Sequence, residues 1–280
     1  MQVFSIDTGT FKLDGGAMFG VVPKVIWNGL YPSDENNLCT WAMRCLLIVK
    51  DDRKILIDCG IGNKQNEKFL KNYYLENPVS ITDALALKGH SADSITDVVL
   101  THLHFDHCGG AVRKTNDGDN YEVAFKNAKY WVSRAQWDWA INPNRRELAS
   151  FLKENFIPIE ESGQLNFIDE TTDIYPFIRL KMYFGHTAGQ IIPQIQMGNQ
   201  TLVYMGDLIP SSVHLPLPYI MSYDTSPLIS LKEKEAFLNE AVDNNFILFF
   251  EHDKSVECCS LIRTEKGVRM EKSFKLEEIT

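Results

Sequence analysis

The stretch "THLHFDHCGG", residues 101–110, packs three of the chain's seven histidines and an aspartate into six positions, directly after the apolar run "VVL". A buried strand must end where its backbone leaves the core, and side chains placed just past that end stand on a rigid platform. His102 and His104, two apart in an extended segment, project to the same side and can share one metal ion. Asp106 and His107 follow as the chain turns and can address a second. Gly109 and Gly110 permit the tight turn that adjacent ligands demand. A lone histidine is more often a surface or core residue than a ligand, but a cluster this dense reads as a metal site. Imidazole with carboxylate suits zinc, and the cysteine pattern of a structural finger is missing.

Further ligands stand in the same kind of place, in loops that follow apolar strands. His186 comes after "LKMYFG", Asp207 after "TLVYMG" and His252 after "ILFFE". Asp207 supplies a carboxylate able to bridge two cations. His214, seven positions past Asp207, reads equally as an acid at a leaving group or as an exposed loop histidine.

Strands and helices mix over the full length, and no repeat, low-complexity tract or linker marks a boundary, so residues 1–280 read as one α/β domain. The pattern predicts a hairpin of "CLLIVK" and "KILIDCG", a helix over Gln65 to Leu75, another in "RRELASFLKENF", and a clear helix "SLKEKEAFLNEAVDNN" capped by Ser230. A formal charge of −9 works against nucleic acid and anionic membranes as partners. No signal-peptide pattern and no long apolar run appear, so a cytoplasmic location is expected. Six cysteines without framework spacing read as free thiols.

"HLHFDH" resembles the HxHxDH signature of the metallo-β-lactamase superfamily. "GHTAGQ" is similar to its GHTxG element, "GD" at 206–207 to its bridging-aspartate element, and "EHD" to its terminal histidine, in the family's order from "LIDCG" onward. The resemblance implies an αβ/βα sandwich, two mixed β-sheets face to face with helices outside. It implies His102, His104 and His186 on one metal, Asp106, His107 and His252 on the other, Asp207 bridging, and Asp58 orienting the histidines. Two zinc ions are the implied cofactors, with manganese, iron or cobalt as substitutes. They would ionise a shared water for hydrolysis, with Asp106 also able to shuttle a proton.

Within the superfamily the chain looks like the N-acyl homoserine lactonase and phosphotriesterase-like branch, through "GGAMFGVVPKVIW", "PSDENN" and "RCLLI". The implied reaction is cleavage of a lactone or other ester-like bond in a hydrophobic small molecule. The tyrosine usual three residues after the bridging aspartate is Pro210 here, and His214, Tyr219 or Tyr223 are the candidate substitutes. Met18 and Phe19, with Trp137, Trp139 and Phe151, read as pocket lining or equally as cover for the sandwich. The alternatives are a phosphotriesterase-like or thioester hydrolase, and a mononuclear iron oxidoreductase resembling persulfide dioxygenases. A small-molecule substrate is the expected partner, and a homodimer stays open.

Overall fold

The computed structural model describes residues 1–115, 117–118 and 120–279. In chain order its strands are β1 (Gln2–Asp14), β2 (Leu38–Lys50), β3 (Arg53–Ile57), β4 (Asp97–Val99), β5 (Val112–Lys114), β6 (Tyr121–Val123), β7 (Lys129–Ser133) and β8 (Leu165–Ile168), followed by β9 (Thr172–Tyr175), β10 (Ile178–Tyr183), β11 (Gln190–Met197), β12 (Gln200–Tyr204), β13 (Ile247–Phe249), β14 (Cys258–Thr264) and β15 (Gly267–Phe274). One sheet runs in the order β1-β2-β3-β4-β7-β8, a second in the order β15-β14-β13-β12-β11-β10-β9, and β5 pairs with β6. By contacts the chain divides into a first unit, Met1–Gly9 with Met43–Glu170, and a second, Thr10–Ala42 with Thr171–Ile279.

In the first unit, β2 and β3 form the expected antiparallel hairpin, registered from Leu46 opposite Ile57 to Lys50 opposite Arg53. Its turn needs Asp51 at φ 54°, a conformation that aspartate tolerates better than most residues. β3, β4, β7 and β8 then pair in parallel. Parallel strands are covered on both faces, so they read as unbroken apolar runs such as "KILI" and "DVV". Ile57 pairs with Val99, and Val99 with Trp131, so these strands end level with one another. The chain just past β3 carries Asp58, and the chain past β4 carries His102 to His107.

The second unit repeats the device. β12 and β13 are parallel, with Tyr204 opposite Phe249. Asp207 lies three residues past the first, and His252 three past the second. His186 follows β10 at the turn into antiparallel β11, where Tyr183 pairs with Gln190. Phe237, Leu238 and Ala241 of the helix Pro227–Asp243 join Val203, Met205, Leu248 and Phe250 in the core beneath.

Three sequence expectations change. The helix expected over Gln65 to Leu75 shrinks to Glu67–Lys71, which buries none of its residues, and Tyr74 at φ 46° stops its continuation. The long helix starts earlier, at Pro227, because proline fits the first helical position and has no N–H to lose there. Ser226 occupies the cap position, while Ser230 is buried inside the helix. "RRELASFLKENF" forms turns and a short 3₁₀ segment, Lys153–Asn155, in place of a helix. There the backbone is drawn into tertiary hydrogen bonds, with Ser150 O accepting from Phe105 N at 3.0 Å.

Candidate metal centre

The first unit supplies four donors from one turn. His102 is fully buried, His104 and Asp106 nearly so, and His107 fully. The turn closes by a short helix, Phe105–Cys108. Its glycines serve close approach. Neither Gly109 nor Gly110 has a positive φ, but a Cβ on Gly109 would lie 2.1 Å from Ile61 O and one on Gly110 2.1 Å from Cys59 O. Lys64, 4% exposed, tethers the same turn from beneath, its Nζ donating to Gly109 O and, at 3.0 Å, to Val112 O. Burial lowers the Lys64 ammonium to a pKa of about 8.

Asp58, at φ 57° and fully buried, organises the histidines. Its carboxylate accepts from Thr101 N at 2.7 Å, from Thr101 Oγ1 at 2.6 Å and from His107 Nδ1 at 3.1 Å. With its own proton given to Asp58, the Thr101 hydroxyl accepts from His102 Nδ1 at 3.1 Å. Both histidines therefore carry their ring proton on Nδ1 and a lone pair on Nε2. His104 is turned the other way, its Nε2 3.4 Å from Glu147 Oε1. Its Nδ1 then bears a lone pair, 3.0 Å from His102 Nε2. Two lone pairs at that distance repel, and a shared cation turns the repulsion into coordination. His107 Nε2, 3.7 Å from Asp106 Oδ2, forms a second donor pair.

The second unit shows the same opposition of acceptors. His252 Nδ1 lies 2.8 Å from Ala42 O, a carbonyl that can only accept, so the lone pair falls on Nε2. That nitrogen faces Asp207 Oδ1 at 3.2 Å. His186 Nδ1 is held by Asp224 Oδ1 at 2.9 Å, and its Nε2 faces Asp207 Oδ2, also at 3.2 Å. One carboxylate thus offers each of its oxygens to a different imidazole. The donors are hard oxygens and borderline nitrogens, a set that fits zinc, manganese, iron or cobalt.

The sequence offered no signal for two of the groups that hold these rings. Glu147 and Asp224 lie in segments without a motif, and only folding brings them against His104 and His186. The pocket expectation changes as well. Phe19 is fully buried and stacks on Trp27 and, at 4.8 Å between ring centres, on His214, and Met18 is 2% exposed. Both are interior packing of the second unit. Tyr219 is half-buried, edge-on to Phe19, and Tyr223 is 39% exposed.

His214 is neither a loop surface residue nor placed as an acid. Its Nδ1 lies 2.6 Å from Ser211 Oγ and its Nε2 2.9 Å from Met18 O. Burial pushes its pKa down to about 3, so it is neutral at pH 7 with both nitrogens engaged. Pro210 gives its carbonyl to His252 N at 3.2 Å. All six cysteines are buried, and none is joined in a disulfide. Among the described residues no helix is long and apolar enough to cross a membrane.

Comparison with known proteins agrees with this geometry. Residues 44–252 match the metallo-beta-lactamase superfamily. The N-acyl homoserine lactonase AiiA of Bacillus thuringiensis subsp. kurstaki is 25% identical over 242 residues, covering 81% of this chain and 86% of its own. A probable metal-dependent hydrolase from Staphylococcus aureus superposes with a TM-score of 0.90 at 28% identity, covering 99% of this chain and 97% of that one. AidC, a dizinc quorum-quenching lactonase solved with its product N-hexnoyl-L-homoserine, superposes with a TM-score of 0.81 at 24% identity, over 98% and 95% of the two chains. These neighbours share the fold, mixed sheets with helices. The matched span and the order of donors along it make this chain a metal-dependent hydrolase of the metallo-beta-lactamase superfamily.

Proposed function

We propose that the chain opens a lactone or related ester bond in a hydrophobic small molecule, using two cations. By the resemblance, His102, His104 and His186 would hold one cation and Asp106, His107 and His252 the other, with Asp207 able to serve both. The observation that carries the reading is Asp207, whose two oxygens face His186 and His252 at 3.2 Å each. A pair of divalent cations, zinc in the first instance, would acidify a shared water and polarise the electrophilic oxygen.

The chain's own residues do the rest. Asp58, Glu147, Asp224 and Ala42 O fix the histidine tautomers, so the inward nitrogens present lone pairs without rearrangement. Asp106, 8% exposed, would take the proton lost by the attacking water on Oδ1, the oxygen not paired with His107, and return it to the leaving alkoxide. Of the candidates for the tyrosine absent at 210, Tyr223 lies one residue from Asp224, the partner of His186, and keeps part of its ring exposed. The lactonase relatives support the bond type, and six buried thiols fit a reducing, cytoplasmic setting.

The test pairs metal analysis with a substrate panel. Protein purified without added metal should hold two cations per chain and hydrolyse acyl homoserine lactones faster than phosphotriesters or thioesters. One iron per chain with persulfide oxidation and no lactone turnover would overturn the proposal.

A further inference from the structure

The feature that stands apart from the family motifs is a buried carboxylate in the stretch that the sequence pattern assigned to a helix. Glu147 is 3% exposed. Its Oε1 lies 3.4 Å from His104 Nε2, while Oε2 accepts from Trp139 Nε1 at 2.6 Å and from Asn144 Nδ2 at 2.7 Å. Asn144 Oδ1 in turn accepts from Glu147 N at 3.1 Å and from Arg146 N at 2.8 Å, which shapes the turn that points the carboxylate inward. Two further contacts tie the same stretch to the donor turn. The Phe151 ring lies 4.9 Å from the His104 ring, and Ser150 O accepts from Phe105 N at 3.0 Å.

We infer that Glu147 is a positioning residue for His104, joining this ligand to the aromatic segment 134–156 so that cation binding and the order of that segment depend on one another. The inference rests on the proposed function, since it takes His104 to be a ligand through Nδ1. The chemistry demands a carboxylate at this position. Trp139 and Asn144 offer only N–H donors to Oε2, and a His104 that coordinates through Nδ1 must carry its proton on Nε2, which is a third donor. An amide could satisfy one side only, because its NH₂ would face donors on the other. An anion behind the imidazole also makes the ring a stronger donor to the cation. At 3.4 Å the His104 contact is longer than an ordinary N–H to oxygen bond, leaving room for the pair to tighten as the ring takes up charge.

Chelator competition on metal-stripped protein, with Zn²⁺ and Co²⁺ as probes, tests this. Wild type should bind two cations. Glu147→Ala should bind one of them about 10- to 100-fold more weakly and change the visible spectrum of the cobalt protein. Glu147→Gln, whose amide oxygen still accepts from His104, should lose less. Trp139→Phe removes a donor to Oε2 but leaves the Glu147 carboxylate beside His104, so it should lower the melting temperature of the metal-free protein and weaken cation binding less than Glu147→Ala does. Trp139 fluorescence should shift on cation binding in wild type and not in Glu147→Ala. If Glu147→Ala binds both cations as tightly as wild type, with only the melting temperature reduced, Glu147 is structural and the inference is overturned. If that variant does not fold, wild-type affinity and cobalt spectrum in Glu147→Gln overturn it equally. A wild type that takes up no cation sinks the proposed function and this inference together, whereas two cations in wild type and in Glu147→Ala sink this inference alone.

Discussion

The two units solve the same problem with different economies of sequence. The first places four donors in six consecutive positions after one strand, while the second draws three donors from the ends of three strands 66 residues apart from first to last, His186 to His252. In the first, one carboxylate serves two rings, because Asp58 holds His107 directly and His102 through Thr101. In the second each ring has its own partner, Asp224 for His186 and Ala42 O for His252. A compact donor set concentrates its dependence on a few groups. A dispersed one spreads it, and relies on Asp207 to tie its members together.

Removing that tie should have the largest effect. Asp207→Ala should lower turnover by more than about a hundredfold, since losing a mere partner of a ligand already costs up to that much. Metal content should fall below two cations per chain, and full retention of both would break the comparison. Next, Asp58→Ala should weaken cation binding more than Asp224→Ala, with each in the range of about 10- to 100-fold. Isothermal titration of the two variants decides it, and equal losses would remove the distinction between shared and private partners.

Gly109→Ala sharpens the compact side. Its Cβ would meet Ile61 O at 2.1 Å, backbone that cannot step aside cheaply. A loss of about 1–3 kcal/mol is expected from overpacking, readable by urea unfolding of metal-free protein. The last test turns on pH and belongs to the second unit. Burial holds the folded pKa of His214 at about 3, against 6.5 for a solvated histidine. Between those values the unfolded chain takes up a proton that the folded chain refuses, so stability falls as pH drops from 6.5 and is insensitive to His214 above it. The slope should approach about 1.4 kcal/mol per pH unit. His214→Gln should flatten it, and an unchanged slope would assign acid sensitivity elsewhere.

The sequence made the donors legible because strand ends are legible. An apolar run that stops at a polar residue states where a side chain will emerge, and this holds for His102, His186, Asp207 and His252 alike. The resemblance added Asp58, which the structure places against His107 and, through Thr101, behind His102. What stayed hidden depends on tertiary hydrogen bonds. Apolar residues at helical spacing in "RRELASFLKENF" outweighed, on the page, the pull of Phe105 on Ser150 O and of His104 on Glu147. Met18 and Phe19 looked like pocket lining because composition near a presumed mouth does not say which way a ring turns. Phe19 turns into the stack with Trp27 and His214.

His252 takes its fixed orientation from Ala42 O, and Ala42 N returns a bond to His252 O at 3.1 Å. The partners are separated by 210 positions and belong to a unit whose N-terminal piece, Thr10–Ala42, is synthesised before all of Met43–Glu170. During translation, then, the early segment must wait for the last third of the polypeptide before its bonds to His252 can close. A ribosome-bound chain stalled before residue 252 would already own the dense donor turn yet lack the clamp, so acquisition of the full donor set is a late event in the life of each molecule.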